Sequence, residues 1–460
     1  MIRSLAELAR VTGGVLHGAD AAFGVVTTDS RTLEPGALFV ALRGERFDGH
    51  QFVPDALARG AAGALVERIV AVSLPQVVVR DALAGLSGFA AAWRQDFAGK
   101  VVGITGSNGK TTVKEMTGSI LSCEGPTLVT RGNLNNHIGV PLTLSRLEAS
   151  HRFAVVEMGA NHQREIAHLA TIARPDVGLV INAGPAHLEG FGGIDGVARG
   201  KGEMFEALDV EGTAVINADD RFAAFWHGLA RRAGRILTFG VRERADFTAR
   251  EVHGRPTQAG FETTFELVTP AGQRRVSLAL GGEHNVMNAL AAAAAAYGAG
   301  AGLDSIVEGL ARMRAVGGRL EVKQLPGGGR LVDDSYNANP ASVRAGLCAL
   351  AALGGQRWLV LGEMRELGPE SALLHAEIGE FARQSGVARL LAVGNEARHA
   401  VEAFGTGATW FAAVEELIAV LGRELAPDVT VLVKGSRSNR LERVAAALGA
   451  GVGDGDGRAH

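Results

Sequence analysis

Residues 103–115 read GITGSNGKTTVKE, a stretch whose residue types and spacing suit phosphate chemistry. An apolar strand pattern, VVGITG, runs into the turn Gly106-Ser107-Asn108-Gly109, followed by Lys110, Thr111 and Thr112. A helix is expected from Thr112 onwards. Backbone N–H groups in such a turn, with the positive end of a helix behind them, stabilise phosphate oxygens. Lys110 would reach the β- and γ-phosphates of a nucleoside triphosphate, and the Thr111 hydroxyl would bind Mg²⁺. Ile104 stands where the common form of this loop has its first glycine. The alternative is a glycine-rich turn with a solvated lysine, but strand, turn, lysine and helix together favour the phosphate.

Three further residues could join that chemistry. Glu157 ends a second strand pattern, FAVVEMGA, whose C-terminal tip should face the same crevice. A hard carboxylate there suits Mg²⁺, directly or through water; the other reading is a helix cap or a solvated side chain. His187, in AGPAHLEGFGG, follows the strand pattern VGLVIN and is a candidate for metal or phosphate contact, against a structural role. Lys201 lies in the helical stretch DGVARGKGEMFEAL beside Glu203 and Glu206. From the residues alone it reads as one charge on a solvated face.

The elements that must position these groups alternate regularly. Apolar runs at 101–106, 153–160, 177–182 and 212–219 are bounded by Gly or Asp, with helical stretches such as 163–173 between them. That pattern predicts buried parallel strands in an α/β sheet covered on both faces. After the Gly pair in AVGGRLEV (315–322), the strands RWLVLGEM, RLLAVG and VTVLVKGSR predict another α/β unit. Residues 1–80 form a smaller one, with LFVALRG and AAGALVE as its clearest strands.

At 460 residues the chain is long enough for about three domains, and the divisions expected are 1–82, 83–314 and 315–460. The net charge of −3 offers no global field for nucleic acid or an anionic membrane. Cys123 and Cys348 make no disulfide framework or metal pattern, so a reducing cytoplasm is the default. The start MIRSLAELAR does not read as a signal peptide, and NALAAAAAAYGAG from Asn288 is too short to cross a bilayer.

The motifs TGSNGKTT, EMGANHQREI, AGPAHLEGFG, ARGKGEMF, GGEHNVMNALAAAAAA, DDSYNANPAS, LGEMRELG and LVKGSRSNRLE occur in the order seen in the Mur ligases. The front stretch TTDSRTLEPGALFVALRGERFDGHQFV (27–53) resembles a UDP-binding domain of that family. The resemblance runs from residue 27 to about 445. It implies a small N-terminal α/β UDP-binding domain, a central P-loop-type, mostly parallel sheet flanked by helices, and a C-terminal Rossmann-like α/β domain. GANHQREI, AHLEGFG and DDSYNANP are similar to the family member that adds a dipeptide rather than a single amino acid.

By that resemblance Gly106 to Thr112, Asn285, Asp334 and Arg319 would serve ATP, with Arg319 at a hinge. Thr111, Glu157, His187 and a carbamylated Lys201 would hold two Mg²⁺ ions. Ser30, Arg31, Arg46, Asp48 and His50 would contact a uridine-diphosphate sugar. Asn133, Asn135 and Asn136 would lie between that sugar and the metal, and Asn337 and Asn339 would hold the dipeptide. The implied reaction is ATP-dependent amide formation between UDP-N-acetylmuramoyl-tripeptide and D-alanyl-D-alanine, through an acyl phosphate, in peptidoglycan precursor synthesis. A monomer without nucleic-acid partners or membrane insertion is implied too. Rivals are a related ligase adding glutamate to a folate or one amino acid to the same sugar, a P-loop motor or regulator, and a nucleotide-binding subunit without catalysis.

Overall fold

The computed structural model describes residues 4–44, 47–257 and 260–449. Among them the strands form four sheets, three of them in α/β units. In the N-terminal sheet the order is Val15–His17, Gln76–Val78, Gly63–Val66, Leu38–Val40, Val26–Thr27. Its first pair is antiparallel and the others parallel.

The central sheet runs Arg235–Phe239, Thr213–Asn217, Val177–Val180, Lys100–Thr105, Phe153–Glu157, Thr127–Val129, every pair parallel. Val101, Val102 and Ile104 in one strand, and Ala154, Val155 and Val156 in its neighbour, are fully buried, as expected of strands covered on both faces. One cover is the helix Glu283–Gly298, whose residues Ala291 to Ala296 are fully buried. It lies against the strands Val177–Val180, Thr213–Asn217 and Arg235–Phe239 and against the helix Lys110–Glu124. Methyl groups let these backbones approach closely.

The helix Ala82–Gln95 joins the first two units. It packs on Leu5–Thr12 on one side and on Gly139–Leu144 and Glu165–Ala173 on the other. Trp93 Nε1 donates to Leu147 O at 3.0 Å, and Arg94 Nη2 pairs with Asp176 at 3.0 Å. One apolar cluster therefore runs from Leu5 through Leu86 into Val156 and Ile166.

The C-terminal sheet runs Glu321–Gln324, Arg330–Asp334, Val429–Lys434, Gln356–Gly362, Arg389–Val393, Ala408–Phe411. Its edge strand Glu321–Gln324 is antiparallel and the rest are parallel. A further sheet, Thr248–Thr257, Gly260–Thr269 and Gly272–Leu278, is antiparallel and was not expected from the sequence. No described helix is long and apolar enough to cross a membrane.

Candidate active site

The strand Lys100–Thr105 lies between Phe153–Glu157 and Val177–Val180, and the chain leaves its C-terminal end into the glycine-rich turn. Ligands of open parallel sheets bind at such a crevice. A cavity of about 1410 Å³ opens there, walled by the central unit on one side and the C-terminal unit on the other.

The turn is held open from below. Asn108 N donates to Asn182 Oδ1 at 2.9 Å, and Asn182 Nδ2 returns a bond to Asn108 O at 3.2 Å. Ser107 Oγ donates to Gly184 O at 3.1 Å. Gly109 has φ +85°, and a Cβ there would come within 2.5 Å of Asn288 Oδ1. The helix begins at Lys110, two residues before the expected Thr112, because Gly109 in its left-handed conformation already serves as its N-cap. Lys110 Nζ folds back to donate to Gly106 O at 2.7 Å. Enclosure away from bulk water lowers its pKa, the nearby Glu157 opposing and Arg319 reinforcing the shift.

Glu157 is 2% exposed. Its Oε2 accepts from Thr111 Oγ1 at 3.1 Å and its Oε1 from Asn135 Nδ2 at 2.7 Å. Among the described residues no Lys or Arg forms an ion pair with it, so a buried carboxylate is met by neutral donors alone. That environment suits a divalent cation. His187, at φ +56°, caps the short helix Leu188–Phe191 and meets the Glu366 carboxylate through Nδ1. This bond to His187 holds the Glu366 carboxyl below its ordinary range, against the opposing effect of burial. Among the described residues no three His, Cys, Asp or Glu side chains converge on one point. Thr111, Glu157 and His187 therefore fit Mg²⁺ only with further oxygen ligands, of the kind a nucleotide phosphate or a modified lysine supplies.

The solvated-face reading of Lys201 is corrected by its burial: it is 1% exposed. Its Nζ lies 3.3 Å from Ala160 O and over the Phe191 ring. Burial pushes its pKa well below the ordinary lysine value, and Lys110 adds to the effect. Glu203 relieves little, because its carboxylate accepts from Arg164 N and Ala167 N. Lys201 sits behind the cavity wall, reaching it at Ala160.

From the C-terminal side, Arg319 Nη2 donates to Thr111 Oγ1 at 2.9 Å while its guanidinium lies 4.3 Å from the Tyr336 ring centroid. Asn339 Nδ2 donates to Asn108 Oδ1 at 2.6 Å. Lys434 Nζ pairs with Asp334 Oδ2 at 2.6 Å and donates to Asn337 O at 2.9 Å. Burial raises the Asp334 pKa, and Lys434 works against that rise. Asn285 lines the same cavity, its Nδ2 donating to Gly281 O at 2.8 Å.

Ser107 to Thr112, Asn133, Asn135, Asn136, Glu157, His187, Asn285, Arg319, Asp334, Asn337 and Asn339 thus share one cavity. Asn136 Oδ1 also accepts from Gly139 N at 2.9 Å, at the start of the helix Gly139–Leu144. The N-terminal candidates are not brought to the cavity lining. Arg31 is exposed and paired with Asp29 at 2.8 Å, and Ser30 is buried. His50 has both ring nitrogens engaged, with Asp48 Oδ1 at 2.6 Å and Glu67 N at 2.8 Å. Arg68 holds the other Asp48 oxygen at 2.6 Å. Arg46 lies outside the described residues. Asn182, Asn288, Glu366 and Lys434 were missed as individual candidates, although Asn288, Glu366 and Lys434 stand inside three of the quoted motifs.

Family models match three stretches: "Mur ligase family, catalytic domain" over residues 22–87, "Mur ligase middle domain" over 104–296, and "Mur ligase, glutamate ligase domain" over 318–437. The UDP-N-acetylmuramoyl-tripeptide–D-alanyl-D-alanine ligase of Escherichia coli (strain K12) is 46% identical, covering 97% of this chain and 98% of its own. A crystal structure of MurF from Acinetobacter baumannii superposes with TM-score 0.89 at 38% identity, covering 98% of this chain and 99% of that one. MurF ligase from Thermotoga maritima in complex with ADP gives TM-score 0.79 at 28% identity, covering 93% and 97%. A phosphate loop facing a second α/β unit across one cavity, and matches spanning all three units, lead to one conclusion: the chain belongs to the Mur ligase family.

Proposed function

We propose that this chain joins D-alanyl-D-alanine to UDP-N-acetylmuramoyl-tripeptide with cleavage of ATP, releasing ADP and phosphate. The observation that carries this reading is the meeting of the phosphate loop with Arg319 and Asn339 of the C-terminal unit inside one cavity. The near full-length likeness to ligases of that name supports the choice of substrates.

A carboxylate and an amine do not condense unaided, because O⁻ is a poor leaving group. A carboxylate oxygen of the tripeptide attacks the γ-phosphorus of ATP, and ADP departs, leaving an acyl phosphate. The dipeptide nitrogen then attacks the acyl carbon. The nitrogen gives up one proton to solvent or to the departing phosphate, the C–O bond to phosphate breaks, an amide forms, and the phosphate leaves with one former carboxylate oxygen. Two anions must approach in the first step, so positive charge has to be concentrated between them. Lys110 and Arg319 supply it from the protein. Thr111, Glu157 and His187 would hold Mg²⁺, which supplies further charge neutralisation when bound. Burial favours the neutral form of the Lys201 amine, the form that adds to CO₂ with loss of a proton to give a carbamate, and this would complete the ligand set. Asn133 and Asn135 face the acceptor side, and Asn337 and Asn339 the dipeptide. Asn285 and Asp334 serve the nucleotide, while the sugar nucleotide contacts Ser30, Arg31 and Asp48.

The working units are residues 1–82, 83–314 and 315–460, with Arg319 at the hinge, and the enzyme acts as a cytoplasmic monomer. Enclosure of the acyl phosphate between the last two units excludes water that would hydrolyse it. The test uses tripeptide substrate labelled with ¹⁸O in its terminal carboxyl. One label is expected in the inorganic phosphate, and only with both substrates present. Phosphate release independent of the dipeptide, or without label, overturns the reading.

A further inference from the structure

Glu366 is the feature that the reaction scheme leaves unused. Its carboxylate crosses from the C-terminal unit to His187 Nδ1 in the central unit, and both residues line the cavity. Among the described residues it has no other charged partner. Both are non-glycine residues in left-handed backbone, at φ +64° and +56°. Such conformations persist where the surroundings hold them.

The Glu366 backbone is held firmly. Met364 and Leu367, on either side of the pair Arg365-Glu366, are buried in the C-terminal core. Arg365 N donates to Ser436 Oγ at 2.9 Å, and Met364 N donates to His375 Nε2 at 2.9 Å. His375 Nδ1 in turn donates to Ser371 O at 2.8 Å, which fixes Nε2 as the acceptor. A short segment is thus braced so that the Glu366 side chain projects out of its own unit.

A carboxylate at one imidazole nitrogen places the proton there and leaves the other nitrogen with a free lone pair. Metal-binding histidines use this arrangement, and losing the carboxylate costs about 10–100-fold in metal affinity. We propose that Glu366 is a positioning residue, which fixes His187 with its proton on Nδ1 so that Nε2 is free for a divalent cation. Because Glu366 belongs to the C-terminal unit, the histidine is prepared only when the two units are together. Closure and cation binding then become one coupled event. This inference rests on the ligase reading above.

The test is titration of the full-length protein with Mn²⁺ in the presence of ADP, following free Mn²⁺ by electron paramagnetic resonance. Glu366→Asn tolerates the left-handed backbone but is too short to reach, and Glu366→Gln keeps the reach without the charge. The expected result is a Mn²⁺ dissociation constant raised about 10-fold or more in Glu366→Asn and less in Glu366→Gln. The effect should vanish in a His187→Asn background. In ¹⁵N spectra of the wild type, the His187 proton should sit on Nδ1, and it should lose that preference in Glu366→Asn. Unchanged Mn²⁺ affinity, or an equal loss in the His187→Asn background, overturns the proposal. Failure of the ligase reading would show separately, as wild-type phosphate release that ignores the dipeptide.

Discussion

Asn339 Nδ2 donates to Asn108 Oδ1 at 2.6 Å, tying the cap of the helix Pro340–Leu353 to the phosphate loop 231 residues away in sequence. The same side chain works twice, since Asn339 Oδ1 accepts from Ser342 N at 2.9 Å as the N-cap. The two roles separate by substitution. Asn339→Ser keeps a capping oxygen but cannot span to Asn108, so stability should hold within a few tenths of a kcal/mol. The dipeptide-dependent kcat/KM should fall about 3- to 10-fold, the contribution of one hydrogen bond. Asn339→Ala should lose the same activity and about 1 kcal/mol of stability as well. Urea melts and phosphate-release assays on both variants check this.

Lys201 predicts a different split between stability and activity. A buried amine with no ion-pair partner among the described residues gains little from its polarity, so Lys201→Met should fold with an unchanged or raised Tm. Its ligase activity should fall by at least about 100-fold, the scale of a lost electrostatic contribution to the reacting site. Lys201→Ala should be inactive too, yet partly restored by a short-chain carboxylic acid and not by bicarbonate. Activity in Lys201→Met near that of the wild type would remove the carbamate from the scheme.

His284 gives the pH dependence a sign. Burial, with Lys434 nearby, lowers its pKa from 6.5 to about 4. Between those values the unfolded chain binds a proton that the folded chain refuses. Stability therefore falls as pH drops from about 6.5 toward 4 and loses nothing more from this group below that. The loss is at most about 1.4 kcal/mol for each pH unit crossed. His284→Gln should flatten that part of the profile in thermal melts taken at intervals across the range.

Gly109 tests the phosphate loop itself. Alanine at φ +85° carries left-handed strain of about 1–2 kcal/mol and meets Asn288 Oδ1. Gly109→Ala should fold, with ADP affinity lowered about 10-fold in calorimetric titration, since about 1.4 kcal/mol is tenfold. Retained affinity would mean that the loop tolerates a shifted helix start.

Much of the frame was legible because buried parallel strands announce themselves as continuous apolar runs. The predicted runs at 101–106, 153–160 and 177–182 contain the strands Lys100–Thr105 in most part, Phe153–Glu157 and Val177–Val180. The antiparallel sheet was not legible, because its first strand, Thr248–Thr257, is mostly exposed and has no apolar run to mark it. The phosphate loop carries its chemistry in consecutive residues and was readable for that reason. Lys201 was misread from the residues because neighbouring glutamates suggested solvent, whereas Glu203 is engaged by backbone N–H groups. Glu366 stood inside the motif LGEMRELG, but nothing local marked its role, since its partner is remote in the chain and they meet only through the packing of two units.

The helix built on Ala291 to Ala296 has a consequence for how this protein tolerates change. Methyl groups occupy every direction around that segment, each without exposure. Glycine would loosen the helix by about 1 kcal/mol. Anything larger than alanine would press on a strand or on the helix that carries Lys110. Variation in this stretch is arrested by volume, although no reactive group lies within it.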